Sequence, residues 1–252
     1  MIPSIRRAKV PLSGERLYAW ALGAPYHLLH GSPVDGWDGP YSRSDRKAQQ
    51  EMLGRDWGVH GREDLVTRLN NLGNDGHRRG HREQVNRFST TWRPNVAAAR
   101  EAWRGTIREG GEDAGEAARD LWLLDVVQAD VRGVRSAPLL AFDAARGIML
   151  ARDGLLLGWL SEDEAFDYML DVARDAGRTY GSWAEFGADY LLSRSVWAGT
   201  FESDAFDHAV ERLLRDKASP WVSTPWAQPG LAVPRPVRPW NAGVPVWTLE
   251  RG

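Results

Sequence analysis

Residues 161–177, SEDEAFDYMLDVARDAG, and residues 182–197, SWAEFGADYLLSRSVW, decide the fold class. Each opens on a serine with a glutamate three positions on, Ser161 with Glu164 and Ser182 with Glu185. That is capping-box spacing, in which the two side chains satisfy the orphan backbone N–H groups of a helix start. In the second stretch Trp183, Gly187, Tyr190, Arg194 and Trp197 recur at alternating steps of four and three, which is one continuous helical face. Two capped helices in succession, with no alternating run between them, point to an all-α protein.

Working outward, the same reading predicts a helix over 138–152 and a turn at DGLLLGWL (153–160). Upstream, Leu65, Leu69 and Leu72 define another helical face, which stops at Gly73 and Gly76. A short helix over 44–53 is expected before it, and two more between 85 and 131, broken at REGGEDAGE (108–116). A first helix from Ser13 carries Leu17, Trp20, Ala21 and Leu28 on one side, and a last one covers 203–215. HGSPVDGWDGPYS (30–42) is a loop, because Gly, Pro and Asp punctuate it. The expectation is a single compact multi-helix domain over 13–226. Residues 1–12 form a disordered or loosely docked arm, and an irregular Pro/Trp-rich tail, extended and draped over the helical body, starts at 218, its outer part, 227–252, lying outside the domain.

The bulk composition excludes several classes. No cysteine is present, which removes disulfides, thiolate metal sites and thiol catalysis. The net charge of −2 gives no global attraction to nucleic acid or to anionic membrane. No stretch approaches the ~20 apolar residues of a membrane span, and the start has no apolar leader core, so a cytoplasmic location is expected. Thirteen tryptophans are spread from Trp20 to Trp247 and read as fillers between packed helices.

NDGHRRGHRE (74–83) sets His77 and His81 four apart, a spacing able to share one metal on a helix. Arg78, Arg79 and Arg82 disfavour a bound cation, and Gly76 and Gly80 weaken a helix through the pair. The reading is therefore no metal and no nucleic-acid site. The segment is a helix C-terminus, with His81 and the arginines solvated and His77 placed to reach the interior.

The sharper signal is polar and buried. The aromatic face of 182–197 carries Arg194 inward between two tryptophans, and an always-charged guanidinium there requires an acid or an anionic ligand. On PLLAFDAARGIML, Asp143 and Arg146 share a face with Leu139, Phe142 and Leu150, at a spacing that allows them to pair with each other. Two arginines then share one acid, with Glu185 and Asp189 off the face. The candidate site is Asp143, Arg146, Tyr190 and Arg194, joined by Ser182 or His77. It is either a register-fixing ion-pair network or a pocket for a small anion.

The order of these motifs resembles the bacterial domain of unknown function 1266 family over about residues 50–226. The resemblance rests on Trp57 before the leucine-patterned helix, Gly76-His77 at its end, and FDAAR with Asp143 and Arg146. It continues with Gly158 and Glu164 of GWLSEDEA, then Ser182, Trp183, Tyr190, Arg194 and Trp197, and closes with Trp221 of SPWVSTPW. Trp57, Trp183, Trp197 and Trp221 are its structural anchors. Ser193 stands where such sequences have glycine, which bears on how closely backbones approach there. The resemblance implies a helical, cytosolic, stand-alone bacterial domain. The functional expectation is a non-enzymatic binding or interaction protein without cofactor, one that regulates or neutralises a partner protein. The alternative is an enzyme or sensor whose Asp/Arg/Tyr pocket takes a small anionic molecule.

Overall fold

The computed structural model describes residues 4–202 and 204–232; among them all regular structure is helical and no strand occurs. No described helix is long and apolar enough to cross a membrane. The tail expected over 227–252 lies largely outside the described residues, and 229–232 form a short 3-10 turn.

The arm before the first helix is docked. Arg6 C=O accepts the Val34 N–H at 3.0 Å, and the buried Asp35 carboxylate accepts from Ala8 N–H and Arg7 Nε, each at 2.7 Å. The single helix expected from Ser13 is instead two, α1 (Gly14–Ala21) and α2 (Ala24–Leu29). Pro25 is the cause: it has no N–H to donate to Ala21 C=O, so the ladder ends there. The freed carbonyl accepts the indole N–H of Trp221 at 2.8 Å, two hundred residues away.

Next come α3 (Arg43–Trp57), α4 (Arg62–Asn74), α5 (Gly76–Thr90), α6 (Arg93–Glu109) and α7 (Ala114–Gln128). α3 outruns its expected span because Ser42 caps its start and Gly58, left-handed at φ 63°, ends it. Residues 76–83 open a new helix rather than closing the preceding one, a correction of the sequence reading. The break between α6 and α7 falls inside the expected glycine-rich segment. α5, α6 and α7 gather a satellite core of Val85, Phe88, Val96, Leu123, Leu124 and Val127, completed by Leu192 and Val196.

The remaining helices are α8 (Ala141–Leu157), α9 (Glu162–Thr179), α10 (Trp183–Ala198), α11 (Asp204–Arg215) and the short α12 (Pro220–Ser223). α8 is the axis of the molecule and packs against α2, α4, α5, α9 and α10. All of its residues except Arg146 and Leu155 are buried. It continues past 152 through DGLLL because its stop is Gly158, at φ 75°. Gly154 is tolerated inside it because α4 lies so close that a Cβ would stand 2.4 Å from Leu65 Cδ2.

The Ser161–Glu164 capping box closes in both directions, at 3.2 and 2.8 Å. The second box closes only half. Ser182 Oγ accepts the Glu185 N–H at 3.1 Å, but Glu185 reaches past the cap to Gly181 N–H at 2.8 Å. The stretch 218–226, expected to be extended, contains α12 and is fixed by its rings. Trp183 donates to Thr224 C=O at 2.8 Å and stacks on Trp221 at 5.3 Å, while Trp226 donates to Tyr180 C=O at 2.6 Å.

Candidate functional site

α8 carries an acid–arginine pair toward each end, and their surroundings differ. At the C-terminal end, Asp153 accepts from Tyr41 Oη at 2.9 Å, Gln49 Nε2 at 2.7 Å and Arg152 Nη1 at 3.0 Å. Arg152 Nη2 also donates to Ser32 Oγ at 2.9 Å. That carboxylate has donors on both oxygens, as a buried charge requires. The sequence reading missed this cluster; its signal was the adjacent Arg152 and Asp153 inside an apolar helix.

At the N-terminal end, α8 is pinned by a residue the sequence reading left aside. Asp189 is buried, and its carboxylate accepts the N–H groups of Leu139 (2.9 Å) and Ala141 (3.0 Å) and the hydroxyl of Tyr180 (2.5 Å). Ser193 accepts the Phe142 N–H at 3.3 Å and returns its own proton to Asp189 C=O at 2.6 Å. The hydroxyl therefore bridges α8 and α10.

Asp143 follows directly, in the first turn of α8, and is 2% exposed. Its Oδ2 accepts the Arg78 N–H at 3.0 Å and faces Arg78 Nη1 at 3.4 Å. The Arg78 guanidinium also donates to the carbonyls of Leu72 and Asn74, each at 2.6 Å, and to that of Gly73. Arg78, expected to be solvated, thus caps the end of α4 and is the ion partner of Asp143. The expected Asp143–Arg146 pair does not form. Arg146 turns its guanidinium face to rings instead, with Trp57 at 4.4 Å, Phe142 at 4.9 Å and Trp197 at 5.6 Å. Arg194 lies over Phe206 of α11 at 4.0 Å, not between two tryptophans.

Aromatic faces stabilise a guanidinium electrostatically but leave its N–H edge unpaired. Nη1 of Arg146 and Nη1 of Arg194 are both buried without a hydrogen-bond partner, and neither arginine makes an ion pair among the described residues. The fully buried Tyr190 hydroxyl lies beside that of Tyr26 without a well-formed bond to it, and Asp143 Oδ1 is likewise unpartnered. Burial pushes the Tyr190 phenol up and the Arg146 guanidinium down from their ordinary values. Tyr26, pushed up to about 12 by burial, is held back by the fields of Arg146 and Arg194 and raised further by that of Asp143, which ties these residues together.

The other expected members lie outside this cluster. Ser182 caps the far end of α10, about 12 Å along the axis from Tyr190. Trp183 and Trp221 belong to the tail contacts, and Trp197 is 42% exposed. His77 is at the surface, stacked on His81 at 6.0 Å between ring centroids. Both line an open groove of about 560 Å³ along α5. Desolvation, and then the Arg146 guanidinium, lowers His77, with Asp143 opposing. His81 is partly buried rather than solvated; desolvation and its histidine neighbour bring it down to about 4. Among the described residues no three metal-ligating side chains gather.

Fold and cluster together define an all-helical domain in which two arginines packed on aromatic rings each bury an Nη1 without a hydrogen-bond partner. The chain belongs to the family described as protein of unknown function DUF1266, whose model matches residues 52–226. It is similar to the uncharacterized protein YbeU of Escherichia coli strain K12, 26% identical over 227 residues covering 84% of this chain and 90% of that one. It is also similar to the uncharacterized protein YbeR of the same strain, 26% identical over 171 residues covering 65% of this chain and 62% of that one. No solved structure matches the chain.

Proposed function

We propose that this domain binds a small anion, a carboxylate or a phosphate, through Arg146 and Arg194, with Tyr190 and Tyr26 beside them. One observation carries the reading: the two ends of α8 hold the same residue types, yet only the Arg152–Asp153 end supplies a carboxylate to its arginine. A purely structural network at the other end would satisfy the buried Nη1 of Arg146 and of Arg194 as well, because a buried donor without an acceptor is costly. Arginine edges presented from a rigid aromatic setting suit bidentate recognition of a planar or tetrahedral oxyanion.

Thermal-shift titration with phosphate, small carboxylates and nucleotides tests the proposal. Binding raises the melting temperature of the native protein with the logarithm of ligand excess over Kd, and Arg194→Ala removes that rise. The absence of a shift with every anion would refute it.

A further inference from the structure

We propose that His77 and His81 form a two-imidazole chelate for a divalent transition-metal ion, Cu(II) ahead of Ni(II) and Zn(II), in the open groove along α5. The site does not rest on the anion-binding reading. The two rings stand one helical turn apart, with centroids 6.0 Å apart and planes 24° from parallel. Both line the groove of about 560 Å³, together with Gly80 and Gln84. Neither ring makes a hydrogen bond or an ion pair among the described residues. Their nitrogens are therefore left to a ligand arriving from solvent, and imidazole suits copper, nickel and zinc.

The sequence raises two objections to a cation here, and the structure removes both. The first is that glycines weaken a helix through the pair. α5 instead runs unbroken from Gly76 to Thr90, and its rise sets the two histidines about 6 Å apart along one face. Gly80 leaves the approach to the rings clear, since a Cβ there would meet nothing within 4 Å. The second objection is the arginines, each of which is engaged elsewhere. Arg78 is turned inward onto Asp143 and the carbonyls that end α4. Arg79 holds Asp75 and Glu83, each at 3.3 Å, and Arg82 donates to Arg135 C=O at 3.0 Å. Arg87, at the edge of the groove, lies over the Phe88 ring. The fields of Arg146 and Arg68 still reach His77, and that of Asp143 opposes them. Two protein ligands are fewer than the three of a catalytic zinc site, so this is an open, exchangeable site completed by solvent.

Isothermal titration of the untagged full chain with Cu(II), Ni(II) and Zn(II) chlorides tests this. One ion is expected per chain, bound most tightly for Cu(II). His77→Gln and His81→Gln are each expected to weaken Cu(II) binding by more than the roughly 10–100-fold that loss of an outer-shell partner costs. His60→Gln, which lies between α3 and α4, is expected to change nothing. Electron paramagnetic resonance of the wild type with one equivalent of Cu(II) is expected to show two imidazole nitrogens, and it decides the matter should a variant fail to fold. No binding of any of the three ions would overturn the proposal. So would a copper spectrum with a single imidazole nitrogen, or wild-type affinity retained in either His77→Gln or His81→Gln.

Discussion

Arg78 gives its backbone N–H to Asp143 and its guanidinium to the last carbonyls of α4, so one residue joins α4, α5 and α8. An arginine side chain here does for a helix end what glycine or water does elsewhere. Arg78→Ala leaves a nearly fully buried carboxylate without its counter-charge and three carbonyls without donors. The expected loss is about 2–4 kcal/mol of folding stability, read by urea denaturation. Arg78→Lys keeps the charge but not the fork and is expected to recover only part of it. An unchanged midpoint for the alanine variant would refute this account of the junction.

Gly76 makes the same junction possible. Its φ of +53° is in the left-handed region, and a Cβ would land 2.1 Å from Asp143 Oδ2. Backbone strain alone costs about 1–3 kcal/mol, and the clash adds to it. Gly76→Ala is therefore expected to be at least as damaging as Arg78→Ala. A melting temperature within a degree or two of the wild type would show that the α4–α5 turn accepts a side chain at position 76.

This junction also marks where the sequence stopped being legible. Helix starts such as Ser161 with Glu164, and glycine breaks such as 110–113, are local signals and were readable. That Asp143, Arg146, Tyr190 and Arg194 share helix faces with apolar neighbours was readable as well. What each arginine touches was not. Arg78 looked solvated because its neighbours in sequence are polar, yet its partner lies 65 residues away on α8. Asp189 sits off the aromatic stripe of its own helix, and only the crossing of α8 over α10 shows which backbone it caps. Arg194 meets Phe206, a ring contributed by another helix. The break after Ala21 was local, and Pro25 announced it, but the apolar periodicity runs on through it.

His81 gives the fold a pH dependence whose sign is defined. Its folded value of about 4 lies below the ordinary 6.5, because burial disfavours the charged ring. The unfolded chain then binds more protons between those values. Its contribution to stability is complete above about pH 6.5 and is lost as pH falls toward 4. Between pH 7 and 5 the wild type is expected to lose roughly 1 kcal/mol more than His81→Gln, allowing for partial exposure of the ring. The charge of His77 acts on His81, so the same comparison made in a His77→Gln background isolates the His81 contribution. Equal losses would show that His81 titrates as a solvated residue.

The most discriminating variant contrasts the two ends of α8. Arg152→Met removes the counter-charge of Asp153, which is 1% exposed, and is expected to cost about 3 kcal/mol or more. Arg194→Met removes a guanidinium that has no acid against it among the described residues. Replacing a half-buried guanidinium whose Nη1 has no partner by an apolar chain of similar length is expected to be neutral or stabilising, by about 1 kcal/mol. The same variant is expected to lose the anion-dependent rise in melting temperature, since it removes one of the two donor edges. A site retained at the expense of stability behaves in this way, whereas a structural network does not. If Arg194→Met proves as destabilising as Arg152→Met, the arginine has a structural partner and the case for an anion site at this end of α8 collapses.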